Sequence, residues 1–181
     1  MKHIAIAAFL LASVTPGFAQ QSKASVSASN PVVSAVRQME GRYSKNLVGA
    51  ANEMPADKYS YRPTPEQMTF AHLMVHVAEA NNALCAAIAG ETHEVKLSES
   101  DSKETLANAV KESFAYCEQV LAKADDSNLG QTVTMGGGQN TTQGALLVRL
   151  AVGWGDHYSA AAMYLRLNNL LPPSASKTEK K

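Results

Sequence analysis

The chain has no excess of charge. Its 181 residues carry 16 Lys and Arg against 16 Asp and Glu. No segment clusters its Lys and Arg into a stripe, so a nucleic-acid backbone finds no electrostatic footing. The basic ending "SKTEKK", within residues 174–181, reads as a solvated, disordered tail. Cysteine is scarce: Cys85 and Cys117 are the only two. Neither follows the N-terminal apolar run, so a lipoprotein anchor is not indicated. That run, "IAIAAFLLASV", is too short to span a bilayer, which takes about 20 apolar residues. There is no P-loop, because "MGGGQN" lacks the Lys-Ser/Thr ending and a buried strand before it. No Ser-His-Asp spacing, internal repeat or sustained heptad is found.

What is present begins with an export signal. "MKH" gives a positive start, the apolar run follows, and "TPGFA" places Gly17 and Ala19 at the small-residue cleavage positions. Residues 1–19 are therefore expected to be removed, leaving a periplasmic or secreted protein with no membrane attachment. Without Lys2, fifteen basic side chains stand against sixteen acidic ones. Residues 20–30, rich in Ser, Ala, Lys and Gln, read as a flexible linker. Residues 31–173 are one domain's worth of chain, enough for one core.

Four segments carry helical periodicity. Pro31 opens the first, with Asn30 as cap, and Val33, Val36, Tyr43, Leu47 and Ala50 recur to about Met54. "PADKYSYRPTPEQ" is a proline-rich strap, and the second helix is expected to start at Thr64 and Pro65. Its stripe is Phe70, Leu73, Val77, Ala80, Leu84 and Ile88, and Gly90 stops it. A polar link of residues 91–101 is long enough to cross a bundle. The third helix runs from Ser102 to Lys123, with Leu106, Val110, Phe114, Cys117 and Leu121 inward. A turn, a short extended piece at "QTVTM" and a glycine hinge follow. Thr142 caps the fourth helix, whose stripe is Leu146, Leu150, Gly153, His157, Ala161, Tyr164 and Leu167, and "LLPPS" ends it near Asn169. The fold class is all-α, a four-helix bundle.

His76 and His157 fall on or beside the apolar stripes of the second and fourth helices. Two inward histidines from different helices begin a metal site in a bundle. His72 stands one turn before His76 and offers a third imidazole in a rearranged triad. Glu79, three residues after His76, would orient its ring, whereas Asp156 points roughly 100° around the helix from His157 and toward solvent. Trp154, the only tryptophan, lies between Gly153 and Gly155, where close packing explains the glycines. The two cysteines would lie at similar heights if their helices were parallel neighbours. They pair in that case and are otherwise two buried thiols.

The stretches "YSYRPTPEQMTFAHLMVHVAEAN", "FAYCEQVL" and "GDHYSAAAMYLRLNNLLPPS" together resemble the DinB-like family of four-helix bundles, which includes thiol-dependent metalloenzymes. The resemblance covers most of the mature chain. It implies an up-down-down-up bundle with a long crossover between parallel second and third helices, and so favours a Cys85–Cys117 disulfide. The family's hallmark is a divalent metal on three histidines. One corresponds to His76 and one to His157. The third, one turn before His157, corresponds to Gly153, which has no side chain.

Two functions follow as expectations. One is an exported small-molecule-binding or accessory bundle with a degenerate histidine site, its small molecule unidentified. The other is a metal-dependent enzyme, thiol-transferase-like or hydrolytic, using His76 and His157. The cofactor expectation is either a weakly held zinc, nickel or iron ion on His76, His157 and His72 or none, with His76 and His157 in a metal-free polar pocket and His72 facing solvent. The partner expectations are no nucleic acid, no membrane after cleavage, and a homodimer left open.

Overall fold

The computed structural model describes residues 29–175. The signal segment, nearly all of the linker and the last tail residues lie outside them. Four helices, α1 (Pro31–Glu53), α2 (Phe70–Ala89), α3 (Lys103–Lys123) and α4 (Gln143–Leu167), carry the fold. A small antiparallel hairpin, β1 (Thr132–Thr134) and β2 (Asn140–Thr142), precedes α4, with Val133 opposite Thr141. The chain turns between its strands through Gly137 and Gly138, both at positive φ (82° and 79°), where glycine has no Cβ penalty. The protein is an all-α bundle.

Side-chain pairs fix the helix directions. Asn81 meets Ser113, and one turn further along both helices Cys85 meets Cys117, so α2 and α3 are parallel. His76 meets His157 and Asn81 meets Trp154, so α2 and α4 are antiparallel. Lys103 reaches the Asn52 carbonyl while Asp126 reaches the Val32 and Val33 amides, so α1 and α3 are antiparallel. The 91–101 link is the crossover that lets α3 start at the same end as α2. Cys85 and Cys117 form a disulfide with Cα atoms 5.4 Å apart.

The core is Leu and Val from all four helices around Phe70, Phe114, Met74 and Trp154, each at most 1 % exposed. Three local expectations change. Asn30 occupies the cap position of α1, but its side chain accepts from the Asp126 amide. The Asp126 carboxylate takes the Val32 and Val33 amides, both at 2.9 Å, so a residue 94 positions away caps α1. A carboxylate at a helix N-terminus also matches its dipole.

Helix α2 starts at Phe70, capped by Thr69, and not at Thr64. The strap pre-empts the earlier turn: the Phe70 and Ala71 amides bond to the Tyr61 and Tyr59 carbonyls, and Tyr59 and Tyr61 pack on Phe70 and Tyr164. On α4, Leu167 is exposed (51 %) and Trp154 is buried (1 %). Burying the larger indole rotates α4, so that Trp154 and Leu165 are innermost while 153 and 157 sit on the flank toward α2.

Candidate functional site

His76 and His157 come together where α2 crosses α4. Their rings meet edge to face with centroids 4.8 Å apart. His157 is half-buried and His76 exposed. Burial holds the His157 pKa below the ordinary histidine value; the charge of His76 adds to this and Asp156 works against it. His157 is therefore neutral at pH 7, able to donate from one ring nitrogen and accept at the other.

The pair stands at a cavity of about 460 Å³. The strap supplies Glu66, Gln67 and Met68 to one wall, and α4 supplies Asp156, Met163 and Tyr164 to the other. Tyr164 donates to the Met68 carbonyl at 2.6 Å, which ties strap to helix. Burial, and then Tyr61, push the Tyr164 hydroxyl pKa up, so it stays a donor.

The other candidates fall elsewhere. His72 is exposed, and its Nδ1 lies 3.7 Å from Glu99 of the crossover. Glu99 also accepts from Thr69, so the cap of α2 and His72 share one carboxylate. The triad of His72, His76 and His157 is thus not assembled: among the described residues, no three His, Cys, Asp or Glu side chains group to hold a metal. Glu79 is exposed, and among the described residues no hydrogen bond joins it to His76. Asp156, expected to face solvent, is exposed yet lines the cavity beside His157.

A Cβ built on Gly153 would meet His157 Cε1 at 3.7 Å, an ordinary contact, so position 153 lies beside His157, one turn before it on α4. At Gly155 a Cβ would meet the Tyr43 hydroxyl at 3.3 Å. Close packing accounts for Gly155, but there is room for a side chain at Gly153. The residues present supply two imidazoles, one short of the three protein ligands of a typical catalytic zinc site. Sequence reasoning missed Glu66 and the role of Tyr164. Tyr164 is seven residues after His157, two turns along the same face, a spacing that was legible; Glu66 lies in an aperiodic strap and gave no signal.

A profile of the DinB superfamily matches residues 42–159, from the middle of α1 to just past His157. The chain belongs to the DinB superfamily. Solved structures agree in fold. A DinB-like protein from Bacillus cereus ATCC 10987 aligns with a TM-score of 0.64 at 15% identity, covering 76% of this chain and 93% of that one. A DinB-like protein from Bacillus subtilis aligns at 0.61 and 15% identity, covering 75% and 92%. A mycothiol-dependent maleylpyruvate isomerase aligns at 0.57 and 15% identity, covering 70% of this chain and 59% of that one. No curated protein sequence matches the chain.

Proposed function

We propose that this DinB-superfamily protein is an exported small-molecule-binding bundle whose histidine site is reduced from three ligands to two. The observation that carries the reading is the His76–His157 pair, 4.8 Å between centroids, with a glycine one turn before His157 and beside its ring, at the position where the family resemblance puts a third imidazole. The adjoining cavity, about 460 Å³, is in the range of small-molecule pockets. His157, His76 and Tyr164 give it convergent polar groups, and Met68, Leu73 and Met163 give it apolar wall. Two imidazoles hold a divalent ion weakly, so polar contacts to the ligand itself are the main use of the pair. Export is supported by the N-terminal pattern and is compatible with the disulfide, a bond that persists in oxidising compartments.

A second reading keeps a metal-dependent enzyme, thiol-transferase-like or hydrolytic. It is favoured by the fold shared with the thiol-dependent isomerase and by the open cavity beside the pair. Metal content of the purified mature protein, with His76→Ala as control, separates the two. Substoichiometric metal in both supports the binding bundle. Stoichiometric zinc, nickel or iron that is lost in His76→Ala overturns it in favour of the enzyme.

A further inference from the structure

Among the described residues, Glu40 is the one buried residue that carries a carboxyl group; it is 7 % exposed, on α1. It lines a recess of about 370 Å³ between α1 and α3. Ser34, Arg37 and Gln38 of α1 form one wall, and Glu118 and Leu121 of α3 form the other. The recess lies apart from the histidine pair, which stands between α2 and α4.

No hydrogen bond or ion pair among the described residues reaches the Glu40 carboxylate. Its oxygens are not sealed in either: the enclosed side-chain polar atoms without a partner are those of Asn82 and Gln143. The carboxylate therefore opens on the recess that Glu40 lines, while the rest of the residue is packed away. Burying a carboxylate without a partner is costly. Glu118 adds to the cost, because a like charge across the recess disfavours ionisation. Burial, and then the charge of Glu118, raise the Glu40 pKa to about 7. An acceptor held in this way marks a place for a cation from outside the chain.

The lining selects among cations. A bare metal ion fits poorly, since Arg37 adds positive charge and no third acidic or histidine side chain joins the two carboxylates. A primary ammonium group suits them better: its three N–H donors can be taken by two carboxylates and the Ser34 hydroxyl. Arg37 supplies the other half of the recognition. The ion pairs among the described residues are Lys58–Asp57 and His72–Glu99, so neither Glu40 nor Glu118 claims its guanidinium. That planar fork matches a ligand carboxylate. The volume, near the lower end for ligand pockets, calls for a small molecule. We propose that this recess binds a small zwitterion of the α-amino acid type, its ammonium on Glu40 and Glu118 and its carboxylate on Arg37.

The test is calorimetric titration of the mature, disulfide-intact protein with free L-alanine, with ethylammonium chloride and calcium chloride as comparison probes. L-alanine should bind saturably in the millimolar range. It should bind more tightly at about pH 8 than at about pH 5.5, because Glu40 must be ionised to hold an ammonium group between Arg37 of its own helix and Glu118 of α3. Glu40→Gln keeps the shape of the side chain, and a thermal melt confirms that it folds. It should weaken L-alanine about tenfold or more, as should Glu118→Gln, because each removes a charge-assisted hydrogen bond. Arg37→Gln should bring L-alanine down to the affinity of ethylammonium. No saturable binding of L-alanine, or binding that Glu40→Gln leaves unchanged, would overturn the proposal. Ethylammonium binding as tightly as L-alanine to the parent would overturn the role of Arg37 and with it the zwitterion. Calcium binding that is lost in Glu40→Gln, with L-alanine silent, would overturn it in favour of a metal ion.

Discussion

The Trp154 indole N–H donates to Asn81 Oδ1 at 2.7 Å, deep in the bundle. Asn81 Nδ2 in turn donates to Ser113 Oγ at 3.1 Å, and Ser113 donates to the Val110 carbonyl at 2.8 Å. One amide thus ties α4 to α2 and α2 to α3. Asn81→Leu would leave the indole donor unpaired in the core. The expected loss is about 2–3 kcal/mol of unfolding free energy by urea denaturation. A variant as stable as the parent would show that the network is dispensable.

Gly153→His should raise zinc and nickel affinity sharply in calorimetric titration, because it restores an i, i+4 pair beside His157 where the nearest contact for a new Cβ is 3.7 Å. Affinity should fall below about pH 6, since ligating imidazoles must be neutral. Gly153→Ala should stabilise α4 by up to about 1 kcal/mol without altering metal binding. Unchanged affinity in Gly153→His would mean that position 153 and His76 do not share a site.

The Cys85–Cys117 bond closes a loop with a sequence separation of 32. Reduction should lower stability by about 3–4 kcal/mol on the chain-entropy account. Mass spectrometry of the non-reduced protein should find no free thiol, and thermal melts with and without reductant measure the effect.

Glu40 is a buried carboxylate on α1 facing Glu118 of α3, with Arg37 along the same recess. Burial first, then the charge of Glu118, push its pKa up to about 7. A raised folded-state pKa means that this contribution is full below the unfolded value of 4.5 and is lost as pH rises through about 7. The protein should therefore melt at a lower temperature at about pH 8 than at about pH 5.5. Glu40→Gln should raise the melting point at the alkaline end and flatten the profile. A parent profile that rises with pH across that window would contradict this.

Asp126→Ala should destabilise by about 1–2 kcal/mol, the usual worth of a helix cap, although Asp126 lies far from α1 in sequence. Asp125→Ala is the comparison, since its side chain serves the neighbouring Ser127 amide. Equal losses would show that the long-range cap adds nothing.

The sequence by itself determined the four helices, because apolar residues at 3.6-residue spacing can be buried only that way, and Pro31 and Gly90 punctuate them through local backbone chemistry, whereas α4 stops at Leu167, ahead of the prolines, where Asn169 turns left-handed (φ 60°). It also carried the family resemblance and brought His76, His157 and Gly153 to attention. Tertiary structure alone decided the rest. Whether Cys85 meets Cys117 depends on helix direction, which residue spacing does not encode. Where α2 begins depends on the strap that claims the Phe70 and Ala71 amides. The phase of α4 was settled by burying Trp154, which moved His157 to the flank and left Leu167 outside. His72 was assigned by Glu99, a carboxylate from the crossover. Each of these is a competition between groups distant in sequence, and burial of area and pairing of polar atoms resolve it only once the helices have packed.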